Sequence, residues 1–263
     1  MDRHWPAPGP AAGAATLLHG ISSTSGTWWR VGPALAAAIG LEVSALDLPG
    51  HGDAVPPGEP FTLASMADDV ARRIEPAPGG GLVVGHSLGA VAALGVAARH
   101  PRLVRALVLE DPPGGHPVGG DWLADHLIRD TTAARADRAA IERREQAANP
   151  TWDARDVRHS VDGIVQLDLP WVTAGVRTSF TWDLVELVAG ATVPVLLVVA
   201  PENPVRGVGS ALGGTDRARV AELVGPERLV VMDGGHCLHR DHPDAWVRAV
   251  ASFARQVWTP VDT

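Results

Sequence analysis

Leu82-Val83-Val84-Gly85-His86-Ser87-Leu88-Gly89, followed directly by Ala90-Val91-Ala92-Ala93-Leu94-Gly95-Val96-Ala97-Ala98, decides how the chain is read. A short apolar run leads into a glycine-flanked serine, and a small-residue stretch with helical propensity leaves it. This is the strand–turn–helix layout of a G-x-S-x-G elbow, which presents a serine hydroxyl at the end of a sheet. The serine of such a turn usually takes positive φ, at a cost of about 1–3 kcal/mol. Gly85 and Gly89 remove side chains that would collide as strand and helix close on each other. In 263 residues with 29 glycines, chance supplies about 0.1 such pattern, so the surroundings have to carry the reading.

Upstream, residues 15–18 form an apolar strand ending at His19-Gly20. A helix over residues 28–39 closes at Gly40, a natural C-cap. Residues 42–46 are the next strand, ended by Asp47-Leu48-Pro49-Gly50-His51-Gly52. Helical spacing then runs to residue 74 behind Thr62 as N-cap. Downstream, the strand over 103–109 leads into Glu110-Asp111-Pro112-Pro113, and strands follow over 193–200 and 228–232. The last of these delivers Asp233-Gly234-Gly235-His236-Cys237, with helices expected over 216–224 and 244–257. Strands alternating with helices predict parallel pairing and a three-layer α/β sandwich.

Residues 114–182 differ: they carry helical patterns over 122–130, 133–148, 154–168 and 171–179, and no buried strand. The expected organisation is a core of residues 1–113 and 183–263, with 114–182 as a helical cap over the strand ends. Trp122, Trp152, Trp171 and Trp182 of this segment are candidates to line a substrate pocket. The plainer alternative is that they glue the cap to the core.

Composition narrows the function classes. The net charge of −8 and pI near 5.7 give no electrostatic reason to bind nucleic acid. No stretch approaches the roughly 20 consecutive apolar residues of a membrane span. A single cysteine, Cys237, forms no internal disulfide, and no secretory signal is evident at the N-terminus, so a cytoplasmic protein is expected. All 22 basic residues are arginine, and tyrosine is absent. His236, His239 and His242 are spaced by three, but the loop context and Pro243 make a poor metal cage. No metal and no cofactor are expected.

Ligand sites in open parallel sheets lie beyond the carboxyl ends of the strands. His19, Ser87, Glu110 or Asp111, and His236 all fall there. The order serine, acid, histidine matches a nucleophile, an orienting carboxylate and a general base.

On these pieces the chain resembles the α/β-hydrolase family across nearly its whole length. They are His19-Gly20, Asp47-Leu48-Pro49-Gly50-His51-Gly52, Gly85-His86-Ser87-Leu88-Gly89, Gly235-His236 and Asp241-His242-Pro243. The resemblance implies Ser87 as nucleophile and His236 as general base. It implies an oxyanion hole from the backbone N–H groups of Leu88 and Ile21, with His19 bracing the loop and Asp47 and His51 structural. Only 18 residues precede His19-Gly20, too few for the full antiparallel lead-in of many members.

The acid departs from the commonest family pattern. Asn203 stands in Ala200-Pro201-Glu202-Asn203, where an aspartate is expected, and an amide supplies no charge to an imidazolium. Some members, among them certain haloalkane dehalogenases and zearalenone-type lactone hydrolases, take the acid from the strand after the elbow helix. Glu110 is the position matched to that site, with Asp111 and Glu202 left open. A serine at the elbow argues against the dehalogenase and epoxide-hydrolase branches, which use aspartate there. The absence of tyrosine removes the pair that activates an epoxide, and the absence of lysine argues against lysine-dependent hydroxynitrile lyases.

The expected activity is that of a serine hydrolase. It cleaves a small, mostly apolar carboxylic ester or lactone through an acyl-enzyme, as a monomer or a homodimer. The alternatives are C–C bond hydrolysis on the same fold, and a binding protein weakened in catalysis by Asn203.

Overall fold

The computed structural model describes residues 2–58, 60–115, 121–202 and 209–258. Seven strands make one sheet: β1 (Arg3–Trp5), β2 (Ala14–Leu18), β3 (Glu42–Leu46), β4 (Gly81–His86), β5 (Val104–Glu110), β6 (Val195–Val199) and β7 (Leu229–Val231). Their spatial order is β1-β3-β2-β4-β5-β6-β7; β1 pairs antiparallel with β3, and every other pair is parallel. Six of these strands are those expected. The seventh, β1, is a three-residue piece of the lead-in, too short to carry a period-two signal.

Strict alternation builds two cores. Leu82 and Val84, Ala106 and Val108, and Leu196 and Val198 face one side of the sheet. Val83, Leu107 and Leu109, and Val195, Leu197 and Val199 face the other. The first face is covered by α1 (Val31–Ile39) and α11 (Pro243–Trp258), with Trp28 and Trp246 fully buried between helix and strand. The second is covered by α2 (Leu63–Arg73) and α3 (Leu88–Arg99), flanked by α8 (Leu184–Ala189) and α9 (Gly214–Val224). Leucine- and valine-rich strands buried on both faces are what a parallel sheet under two helical layers requires.

Between β5 and β6 lie α4 (Asp121–Ala136), α5 (Arg138–Ala148), α6 (Ala154–Val165) and α7 (Leu169–Thr178). The single helix expected over 133–148 is broken at Asp137, whose carboxylate caps α5 through Ala140 N at 2.9 Å. Asp153, Asp168 and Asp183 cap α6, α7 and α8 in the same way. Each such cap is worth about 1 kcal/mol; Asp137, Asp153 and Asp168 thus set helix boundaries within the segment, and Asp183 starts the return to the sheet layer. Ala134, Ile141, Val161 and Ile164 form a small core of its own. α6 sits directly on the loop after β2: a Cβ on Gly163 would run into the backbone of Ser22 and Ser23. Trp29 Nε1 adds a hydrogen bond to Asp156 Oδ1 at 2.8 Å. Among the described residues no helix is long and apolar enough to cross a membrane.

Candidate active site

The strand order reverses direction between β2 and β4, and the crevice beyond their carboxyl ends is where such a sheet binds ligands. β4 ends at His86, Ser87 takes φ 53° and ψ −117°, and α3 begins at Leu88. A Cβ on Gly85 would strike the backbone of Gly89 and Ala90, and one on Gly89 the carbonyl of Leu18. Glycine is therefore required at both positions by the close approach of strand and helix. Ser87 N donates to the Glu110 carbonyl at 2.9 Å, which ties the elbow to β5.

Ser87 lines a cavity of about 270 Å³ together with His236, Ile21, Trp152 and Arg240. Ile21 belongs to the loop after β2, and Leu88 opens α3, so the two backbone N–H groups expected to bind an oxyanion come from elements flanking Ser87. That loop is held by His19, whose Nδ1 donates to Gly20 O at 2.8 Å while its Nε2 accepts from Leu48 N at 2.9 Å. Burial, with His51 beside it, pushes the His19 imidazole down to about 3, so it is neutral as this tautomer requires. His51 is likewise held neutral by burial, at about 4, and donates to Pro49 O. Burial alone would raise the Asp47 carboxyl, but hydrogen bonds, including one from Ser25 N at 2.6 Å, hold it at about 2. These three residues brace turns.

The carboxylate on His236 is Asp111. His236 Nδ1 donates to Asp111 Oδ2 at 2.5 Å. The same carboxylate accepts from Ala211 N (2.9 Å), Ser210 Oγ (2.5 Å) and Ala200 N (3.3 Å). Glu110, the expected partner, is turned away: its Oε1 accepts from His239 N at 3.0 Å and His239 Nδ1 at 2.8 Å. The reason lies in strand geometry. Side chains alternate across β5, so Glu110 shares the face of Ala106 and Val108, where its partner His239 packs against Trp28 and Trp246. Asp111 lies just past the strand at φ 43°, a left-handed kink that carries its carboxylate over the end of β6. Glu202 is engaged elsewhere, accepting from Gly214 N at 2.6 Å, and Asn203 lies outside the described residues.

The His236 loop has two further anchors. His86 Nε2 donates to the His236 carbonyl at 2.9 Å; burial first, then His236 and His239 beside it, hold the His86 imidazole well below its ordinary 6.5. Asp241 accepts from Gly235 N at 2.7 Å and from Trp152 Nε1 at 2.6 Å. Of the four tryptophans expected to line a pocket, only Trp152 is among the described residues around this cavity. Trp171 packs edge-on against Phe61, Trp182 donates to Pro113 O at 3.2 Å, and Trp122 stacks on His126 with 77% of its surface exposed. Trp171 and Trp182 are thus joints between the helical segment and the sheet. Arg240 is a wall residue that the sequence reading missed. Its signal was its position four residues after His236. Among the described residues no three histidine, cysteine, aspartate or glutamate side chains are placed to hold a metal ion.

The chain is 45% identical over 93 residues to a pimeloyl-[acyl-carrier protein] methyl ester esterase of Neisseria meningitidis, a match spanning 35% of this chain and about a third (34%) of that relative. The enzyme of the same description from Yersinia pseudotuberculosis is 27% identical over 251 residues, covering 91% of this chain and 92% of the relative. A thermophilic esterase from Thermogutta terrifontis has the same fold, with a TM-score of 0.73 at 17% identity, covering 98% of this chain and 94% of that one. Residues 17–250 match the profile of the alpha/beta hydrolase family, and with its elbow, parallel sheet and strand-end histidine the chain belongs to that family.

Proposed function

We propose that the protein is a serine hydrolase of carboxylic esters or lactones, with Ser87 as nucleophile, His236 as general base and Asp111 as the orienting acid. The observation that carries this reading is the 2.5 Å contact of His236 Nδ1 with Asp111 Oδ2, on a histidine that lines the same cavity as Ser87. A proton on Nδ1 leaves Nε2 as a lone pair on the cavity side, the tautomer a general base needs. The names of the curated relatives support ester cleavage.

In this reading His236 Nε2 takes the Ser87 hydroxyl proton as Oγ attacks the ester carbonyl. The N–H groups of Leu88 and Ile21 receive the developing oxyanion, each contributing about 2.7–4 kcal/mol to the transition state. The imidazolium then protonates the departing alkoxide. Water, deprotonated by His236, attacks the acyl-enzyme, and the imidazolium returns the proton to Ser87 Oγ as the acid leaves. Asp111 supplies the counter-charge for the imidazolium in both steps, so Asn203 is no bar to catalysis. The helical segment 114–182 acts as a cap that contributes Trp152, Glu145, Asn149 and Ser160 to the cavity. No metal or cofactor enters the scheme, and a single cysteine suits a reducing cytoplasm.

Labelling with a fluorophosphonate tests the reading: the expected adduct is on Ser87, absent in Ser87→Ala, with turnover of short methyl and p-nitrophenyl esters lost in parallel. A folded protein that neither takes the label nor cleaves these esters overturns it.

A further inference from the structure

Arg240 gives the Ser87 cavity a cationic wall. It lies on α10 (Leu238–Asp241), one turn beyond His236, and is only 5% exposed. Its guanidinium is fixed twice: Nε donates to Thr27 Oγ1 at 3.0 Å, and the plane sits 4.7 Å over the Trp152 ring. The hydroxyl of Thr27 continues through His239 to the Glu110 carboxylate, two residues away along a hydrogen-bonded chain. The two terminal nitrogens have no hydrogen bond and no ion pair among the described residues.

Neither carboxylate in the cavity wall fills that gap. Asp241 has one oxygen on Trp152 Nε1 and the other on Gly235 N, and Glu145 has its Oε1 on Arg144 at 3.3 Å. A guanidinium at the wall of a cavity, with four of its five N–H donors unpaired by protein groups, presents those donors to whatever occupies the cavity. Fixing it in advance over an aromatic ring removes the entropy that a flexible side chain would lose on binding. Its open fork matches a carboxylate, which it holds bidentately.

We infer that the substrate is an acidic ester, one that carries a free carboxylate bound by Arg240 while its ester carbonyl sits at Ser87. This rests on the hydrolase reading above and specifies its substrate class. A cavity of about 270 Å³ fits a small molecule of this kind, such as a monoester of a short dicarboxylic acid. Arg240 also borders an outer hollow with Arg30 and Arg248, and the experiment separates the two locations.

Monomethyl adipate and methyl hexanoate present the same six-carbon acyl chain with and without the carboxylate. The wild type is expected to favour the acidic ester in kcat/KM by at least tenfold. Arg240→Met is expected to lower that ratio at least tenfold, chiefly through KM, and Arg240→Lys to give an intermediate ratio. Free adipate is expected to inhibit p-nitrophenyl acetate hydrolysis competitively. It should also raise the melting temperature of the wild type but not that of Arg240→Met, a readout that needs no turnover. A wild-type ratio of one or less overturns the inference, as does a ratio unchanged in both variants or non-competitive inhibition that places the anion in the outer hollow. An adipate-induced melting shift with no ester cleavage and no fluorophosphonate adduct leaves the carboxylate site standing and removes the hydrolase reading instead.

Discussion

Two carboxylate–histidine pairs stand side by side at the end of β5, and they have opposite surroundings. In the Glu110–His239 pair both side chains are almost fully enclosed, and the far nitrogen of the ring accepts from Thr27 Oγ1 at 2.6 Å. In the Asp111–His236 pair the carboxylate is buried but 27% of the histidine side chain is exposed, and its ring borders the Ser87 cavity. The chemistry of the pairs is nearly the same. In the proposed mechanism, what separates a base from a brace is the surroundings of the ring: a hydroxyl that completes a closed hydrogen-bond chain, or the cavity shared with Ser87.

The strongest way to break the comparison is Asp111→Asn. It removes the charge and favours the wrong tautomer, so kcat for ester hydrolysis is expected to fall by about 10³–10⁴; an amide nitrogen facing donors that the carboxylate now accepts from also costs about 1–3 kcal/mol of stability. Steady-state kinetics on a p-nitrophenyl ester checks this, and a loss below tenfold would remove Asp111 from the triad.

Acid separates fold from chemistry next. His19 and His51 are held neutral, at about 3 and about 4, while in the unfolded chain both take up a proton near 6.5. Their depressed values mean that the stabilisation is complete above 6.5 and is lost as the pH falls from there toward 4 and 3. Each contributes a slope of about 1.4 kcal/mol per pH unit across that window. His86, held low between the two pairs, adds to the same slope. Urea unfolding at half-unit steps from pH 7 to pH 4.5 is expected to show it, and a flat profile would contradict neutral buried rings.

Glu110→Gln is the mirror of the first variant. It weakens two hydrogen bonds from His239, so a stability loss of about 1–3 kcal/mol is expected. The loss in kcat should be far smaller than for Asp111→Asn, measured on the same ester. Reversed sizes would exchange the roles of the two pairs. The smallest effect belongs to Thr27→Val, which cuts the chain between His239 and Arg240 and should lower stability by about 1 kcal/mol in denaturant melts.

The two pairs also show where the sequence is legible. The elbow could be read because its signature is local: both glycines lie within two residues of Ser87, although one answers to a contact inside the turn and the other to the neighbouring strand β2. The sheet could be read because strands such as β5 and β6 are short, almost wholly apolar runs that recur between helical segments. The acid could not be read by the same means. Glu110 and Asp111 offer the same functional group one residue apart, and one positive φ at Asp111 together with the facing of the last strand residue decides between them. The tryptophans failed for a related reason, since whether an indole lines a cavity or joins two layers depends on how α4 to α7 pack. Trp152 and Trp171 look alike until that packing exists.

The contact between α6 and the loop after β2 bears on how specificity in this chain could be redesigned. Gly163 admits no side chain against the backbone of Ser22 and Ser23, and a Cβ on Gly26 would meet the His159 ring of the same helix. The helices that shape the cavity and the backbone that would receive the oxyanion are therefore one interlocked part. Transplanting the helical segment alone from a homologue would bring in a surface fitted to another loop. An exchange that keeps catalysis has to carry residues 20–26 and the segment together.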